Sequence, residues 1–355
     1  MRFGTFHLLT HPPGLTAQEL LQQTLDEAVL AEELGFDTCW LTEHHGSRYG
    51  LSSSPAVLAA AIAARTQRIG LGFAAHITPM HHPVSLAEQV AMVDQLSGGR
   101  VIAGFGAGYS PYEFSMVGAD FETRHGTHWE IVDLVRQLWT QPQVTHRSEL
   151  FDLEGVASFP KPLQQPHPPI AVTAGHPDSV RSVAERGHRI LLLGGDEQVR
   201  DSLVLYRETL EIAVAAGNIT QEQAEDCAKS PGVMRQIYIA DDAEAARDAV
   251  RASTAWSMGV AKALAGMGPV PLEESDFHSL DLPAVDPKEV EGVLERRVLA
   301  GDAAYVTERL SRLQEIGVGE VLCWMRWGFL SHQQAMDSMQ CLAKKVLPAF
   351  KYLRD

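Results

Sequence analysis

The chain has 355 residues, 45% hydrophobic and 21% charged, the balance of an ordinary soluble globular protein. With 45 acidic against 29 basic residues its net charge is −16, which argues against nucleic acid and anionic membrane as partners, since both require a basic face. There is no apolar run long enough for a membrane span. Four scattered cysteines without C-x-x-C spacing read as reduced thiols of a cytoplasmic protein, not as a disulfide frame or zinc site.

Short apolar runs alternate with amphipathic stretches along the whole sequence. Residues 2–9 read as a strand. Thr16 and Glu19 form a capping box that opens a helix, whose apolar positions Leu21, Leu25, Ala28 and Val29 recur at helical spacing up to Gly35. A second strand over 36–42 is followed by Ser54 and Pro55, residues suited to a helix start, with the helix running to about 65. A third strand covers 69–78. Pro83 starts a helix that stops at Gly98-Gly99. A fourth strand, 101–106, leads through a Gly-rich loop to a helix near 127–140. Residues 141–169 carry six prolines and read as an extended or hairpin insertion. Strand and helix then alternate at 170–173, 178–186, 190–193, 197–215, 234–240 and 243–251. Residues 259–287 read as a long mobile loop. A helix over 306–316, an eighth strand over 320–325 and a closing helix over 331–346, capped by Ser331 and Gln334, complete the pattern.

Eight strands, each followed by a helix, predict an α/β fold of the (β/α)8 barrel type. The expected organisation is a single domain over 1–355, with insertions after strand four (about 141–169) and strand seven (about 252–300). Such a barrel carries its chemistry at the C-terminal ends of its strands. There the sequence places Glu43, His44 and His45 after strand two, and Ala74, Ala75 and His76 late in strand three. Gly104 to Ser110 follows strand four, and Ala174, Gly175, His176 and Ser179 follow strand five. Trp324, Met325, Arg326 and Trp327 stand after strand eight, where the tryptophans and Phe329 suit either an apolar pocket or the core.

The Gly-rich stretch is not a dinucleotide fingerprint, because Pro111 and more loop intervene before a helix. The helix start near Asp178 and Ser179 could hold a phosphate or be a plain cap. The 15 histidines show no H-E-x-x-H spacing and no H-x-H after strand one, so no metal is expected; His81-His82-Pro83 reads as a lead into a helix. A G-x-S-x-G elbow is also missing.

Taken together, Gly35-Phe36-Asp37 to Trp40, Glu43-His44-His45, Gly50-Leu51 with Pro55, His82-Pro83-Val84, Asp94-Gln95-Leu96-Ser97, Gly99-Arg100 and Ala184-Glu185-Arg186-Gly187 resemble the bacterial luciferase-like flavin monooxygenases. The resemblance runs over nearly the whole chain. It implies reduced FMN (FMNH2) as cofactor, delivered by a separate NAD(P)H:flavin reductase. O2 is then the co-substrate, and one oxygen atom passes through a C4a-(hydro)peroxyflavin to a small organic substrate. His44 matches the catalytic histidine, a general acid/base, with Glu43 and His45 orienting it or shaping the pocket. Ala74-Ala75 matches a non-proline cis peptide beneath the flavin ring. Gly106, Ala107, Arg124, His125, Ala174, Gly175, His176 and Ser179 fall at positions that wall the flavin or clamp its phosphate. The pattern departs from the luciferase subunit at Ala107 and His125, where that subunit has arginines, and at Gly175-His176, where it has Glu-Ser. The 259–287 loop matches one that closes over the site. Two alternatives stand beside this reading: a deazaflavin-dependent oxidoreductase of the same fold, and a non-catalytic, flavin-poor subunit. Ala56, Ala59, Ala60, Ala63 and Ala64 permit close helix packing, from which a homodimer is expected, or they pack on the barrel itself.

Overall fold

The computed structural model describes residues 1–12, 14–266 and 284–351. Twelve strands occur among them: β1 (Arg2–His7), β2 (Thr38–Leu41), β3 (Gly70–Phe73), β4 (His76–Ile77), β5 (Val101–Gly106), β6 (Val144–Arg147), β7 (Asp152–Val156), β8 (Ile170–Ala174), β9 (Arg189–Leu192), β10 (Gly232–Ile239), β11 (Val298–Gly301) and β12 (Glu320–Trp324). Parallel pairing runs β1-β2-β3-β5-β8-β9-β10-β12 and closes where β12 pairs with β1, Arg2 opposite Glu320 and Phe6 opposite Trp324. This is a closed eight-stranded (β/α)8 barrel, with one predicted strand at each of the eight positions.

The lumen is filled by one side chain from each staircase step: Phe6, Trp40, Ala74, Ile102, Ala171, Leu191, Met234 and Leu322 form one cluster. Trp40 is its largest member. The indole fits because its neighbours lack side chains: a Cβ at Gly4 would fall 2.6 Å from Trp40 Cδ1, and one at Gly72 only 2.5 Å from Trp40 Cδ2. Its Nε1 donates to Glu320 Oε1 at 2.8 Å, and Arg2 lies against the other carboxylate oxygen at 3.3 Å. A larger apolar layer, including Phe3, Leu41, Phe73, Leu86, Val90, Phe105, Val135 and Leu138, separates barrel from helices and supplies most of the burial that stabilises the fold.

The first insertion is the antiparallel hairpin β6-β7, followed by a proline-rich return in which the peptides before Pro160 and Pro166 are cis. The second differs from expectation. The helix beginning at Ala243 runs on to Gly266, a further helix spans Pro287–Arg296, and β11 follows. Residues 259–266 are therefore helix, not loop; the remainder of the expected mobile loop up to 283 lies outside the described residues. β11 answers a local need: β9 pairs with β10 only at Gly232 and Val233, and β11 takes over from Gln236 to Ile239. The alanine-rich helix Pro55–Ala63 packs on the barrel with part of its alanines. Ala56, Ala59 and Ala63 are buried in the chain's own core, while Val57 stands out to solvent. No helix among the described residues is long and apolar enough to cross a membrane.

Glu27, on the helix Ala17–Leu34, joins the two ends of the chain. Its buried carboxylate takes hydrogen bonds from Arg326 (2.9 Å) and His332 (2.9 Å), with His7 at 3.5 Å. Burial alone would raise the carboxyl, but His332, His7 and Arg326 outweigh it and bring it down to about 2.

Candidate functional site

The residues singled out from sequence gather at the C-terminal ends of the strands. β2 ends at Leu41, and Glu43, His44 and His45 follow in the loop. His44 is buried. Its Nδ1 lies 2.9 Å from Glu113 Oε1, and the same oxygen accepts the His45 backbone N–H at 3.0 Å. Nδ1 is thus the ring nitrogen committed to Glu113, and Nε2 is the one turned away from that carboxylate. Tyr49 meets the imidazole edge-on at 4.9 Å. Gly50 packs so tightly on it that a Cβ would come within 3.0 Å of the His44 ring and 2.7 Å of the Leu8 carbonyl.

Glu113 is a residue that the sequence reading did not single out. It sits in the first turn of the helix Pro111–Val117, whose N-cap Ser110 accepts from its backbone N–H. The signal Ser110-Pro111-x-Glu113 looks like an ordinary helix start. Only the fold reveals that the carboxylate turns to His44, 69 positions away.

Glu43 is deeper still, 1% exposed. It accepts from His45 Nε2 at 2.8 Å, His81 Nε2 at 2.8 Å and the Ile77 backbone N–H at 2.9 Å. Burial would raise this carboxyl; the imidazoles of His45, His76 and His81 outweigh that and hold it well below the usual carboxylate range. The bond to Glu43 in turn raises His45, against its own burial. His81 thus belongs to the site and not to the helix start, which is made by His82 as N-cap and Pro83 as first residue.

Between β3 and β4 the Ala74–Ala75 peptide is cis, as the resemblance implied. Beside it, Gly106 ends β5 with no side chain; a Cβ there would lie 2.8 Å from Thr173 Oγ1 and 3.4 Å from Ala75 Cβ. Gly106 is thus a point of close approach, where the lack of a side chain lets β5, Ala75 and Thr173 of β8 pack together. Ala107 follows directly, and Ala174 and Gly175 line the neighbouring strand end, with open space around the position a Gly175 Cβ would take.

Arg124 and His125 stand in the first turn of the helix Arg124–Thr140, which starts three residues earlier than expected. Arg124 stacks 3.8 Å over Phe121 and donates from NH1 to its carbonyl, while its buried Nε has no hydrogen-bond partner. Burial, then the charges of Arg124 and His176, push His125 down, so the three groups lie near one another at one corner with Arg124 as its cation. His176 is the N-cap of the helix Pro177–Glu185. Ser179 is turned inward: its Oγ accepts from the His176 N–H at 3.1 Å and donates to the His176 carbonyl at 2.8 Å. The tryptophans after β12 are not pocket walls. Trp324 and Trp327 lie in a core cluster, with Trp327 donating to Thr254, and only Phe329 is exposed.

Fold and site define a (β/α)8-barrel enzyme with a histidine–carboxylate pair above the lumen and a basic corner at one side. Over residues 1–320 the chain matches the family described as luciferase-like monooxygenase, and it belongs to that family of monooxygenases. It is 27% identical over 361 residues to the oxygenase component of the flavin-dependent trigonelline monooxygenase of Acinetobacter baylyi, covering 97% of this chain and 95% of that one. Among solved structures it is similar to monooxygenase RslO1 from Streptomyces bottropensis, with a TM-score of 0.84, 27% identity and coverage of 99% and 100%. It also shares the fold of the oxygenating constituent of 3,6-diketocamphane monooxygenase from Pseudomonas putida, solved with FMN, with a TM-score of 0.77, 22% identity and 98% coverage of both.

Proposed function

We propose that this protein is the oxygenase component of a two-component system, using reduced FMN and O2 to place one oxygen atom in a small organic substrate. The observation that carries the reading is His44, buried, with Nδ1 committed to Glu113 and Nε2 left for a ligand. The residues present suit a flavin. Gly106, Ala74 and Ala75 offer a flat ring small neighbours at the strand ends, and the orphaned Arg124 Nε with His125, His176 and two helix N-termini suits its phosphate. Ser179 holds the His176 turn, and Gly175 leaves open space beside that corner. When bound, reduced flavin supplies the two electrons that activate O2.

The chain's own residues do the rest. His44 gives or takes a proton at Nε2, and the Glu113 carboxylate steadies the imidazole in either state. Glu43 fixes His45 and the start of the turn after β4, so that the wall beside His44 stays in place. The apolar lumen below Ala74 keeps water from entering from beneath. The name of the Acinetobacter baylyi relative, an oxygenase component, supports supply of the reduced cofactor by a separate NAD(P)H:flavin reductase. Exposed Val57, Met92 and Leu96, on the helices Pro55–Ala63 and Pro83–Ser97, support pairing of two copies through that face.

The test is an anaerobic titration with reduced FMN, followed by mixing with 18O2 and a panel of small organic substrates. Stoichiometric binding and one labelled oxygen in a product are expected. His44→Ala should keep the binding and lose the product. No binding of reduced FMN, or unchanged turnover in His44→Ala, would overturn the reading.

A further inference from the structure

His76 is the least explained side chain of the site. It is 1% exposed, and neither ring nitrogen has a hydrogen-bond partner. Leaving such groups unmet costs about 1–3 kcal/mol, so they call for a cause. Its Nδ1 lies 3.4 Å from Glu43 Oε2, close but without hydrogen-bond geometry. On the other side of the same carboxylate, His81 Nε2 lies 2.8 Å from Oε1 and 2.9 Å from Oε2. The ligand atoms of Glu43, His76 and His81 all fall within 4.8 Å of one another.

The His76–Glu43 spacing suits a shared metal ion better than a hydrogen bond. Four ligands held tetrahedrally about 2.0–2.1 Å from a zinc ion stand about 3.3 Å apart. The His76–Glu43 separation already has that value, and His81 needs to retreat by about half an ångström. The set of two imidazoles and one carboxylate, with a coordination position to spare, is one that first-row transition ions accept. His45, on Glu43 Oε1 at 2.8 Å, supplies the outer hydrogen bond that orients a ligating carboxylate. His81 and His45 are both about one-fifth exposed and give an ion a way in from solvent.

We propose that Glu43, His76 and His81 form a binding site for a divalent first-row transition ion, tying the end of β2 to the turn after β4. This departs from the expectation of no metal. That expectation rested on sequence spacing, and these ligands come from positions 43, 76 and 81, joined only by the fold. The proposal does not depend on flavin.

The test uses the full chain, stripped with a chelator and without flavin. Zn2+ is titrated by calorimetry against a competing chelator, Co2+ by its visible d–d absorption, and thermal unfolding is followed with and without Zn2+. One equivalent of Zn2+ is expected, with intense Co2+ bands of low coordination number and a higher unfolding temperature. His76→Ala and His81→Ala should each weaken Zn2+ binding at least about tenfold and remove the Co2+ bands. Should His76→Ala fail to fold, His76→Gln and the partly exposed His81→Ala carry the same comparison. Absence of stoichiometric uptake by the stripped protein, or equal affinity in wild type and His81→Ala, would overturn the proposal; the latter would place the ion on other histidines.

Discussion

Gly72→Ala tests the packing of the barrel lumen directly. The added methyl would overlap Trp40 Cε3 and lie 2.5 Å from Cδ2 and 2.6 Å from Cζ3. Carbon atoms in contact prefer about 3.5–4.0 Å, so the indole must retreat by about 1 Å. It has nowhere to go: its other edge abuts Gly4, and Nε1 is held by Glu320. Overpacking of this kind costs about 1–3 kcal/mol. Breaking the hydrogen bond to the Glu320 carboxylate adds about 1.5–3 kcal/mol. The stiffer unfolded chain returns about 0.4–1 kcal/mol. The net loss is about 2–5 kcal/mol, which moves the urea midpoint down by roughly 0.7–2.5 M at a slope of about 2–3 kcal/mol/M. Urea unfolding followed by circular dichroism measures it. Gly175→Ala is the control, since nothing lies within 4 Å of its Cβ; it should lose no stability and gain at most about 1 kcal/mol. A loss below about 1 kcal/mol for Gly72→Ala would refute the account of Trp40 as a ring wedged between two glycines.

Further outcomes follow from the site. Arg124→Ala should weaken reduced-FMN binding by about ten- to hundredfold, the worth of one charge-assisted hydrogen bond; unchanged affinity in an anaerobic titration would move the phosphate elsewhere. Glu113→Gln should lower turnover about ten- to hundredfold while reduced-FMN affinity stays within about twofold, because it alters the steadying of His44 and not the residues beside the ring; an equal loss of both would make Glu113 a structural residue only. Glu27 gives a pH prediction. Its folded carboxyl titrates near 2, below the usual 4.5, so its contribution is fully present above 4.5 and fades as pH falls toward 2. Glu27→Gln should therefore be less stable at neutral pH, with a shallower loss of stability between those values in acid unfolding. An acid limb identical to wild type would exclude Glu27 as its source.

The barrel was legible because each βα unit announces itself locally. Capping boxes at Thr16–Glu19 and Ser331–Gln334 form as the spacing predicts, and all eight barrel strands lie where short apolar runs stand. β11 was missed because Val298-Leu299-Ala300-Gly301 is a short strand with nothing to set it apart; only the early end of β9 gives it a place. The helix from Ala243 to Gly266 was cut short because the Gly- and Pro-rich stretch beyond it was read as loop from 259 onward. At the site, His44 and the Ala74–Ala75 peptide were found because their information is contiguous. Glu113 was not, and His81 was read as a helix entry, because their contacts join segments more than 30 positions apart; His76 was placed at the strand end, but its nearness to Glu43 is likewise set only by the fold. Trp327 shows the converse: an aromatic beside the strand ends suits a pocket wall in sequence, yet it is fully buried in core.

The pairing of Arg2 with Glu320, and the Glu27 bonds to Arg326 and His332, join the first βα unit to the last. A growing chain therefore holds β1 as an open sheet edge until the segment carrying Glu320 has been made. Because the closing contacts span about nine-tenths of the sequence, ring closure comes late in biosynthesis, and a chain truncated before Glu320 would be a curled open sheet prone to self-association. For such a chain, expression yield and Glu27 chemistry are one problem: the carboxylate acts as the clasp of a ring that exists only once both ends have arrived.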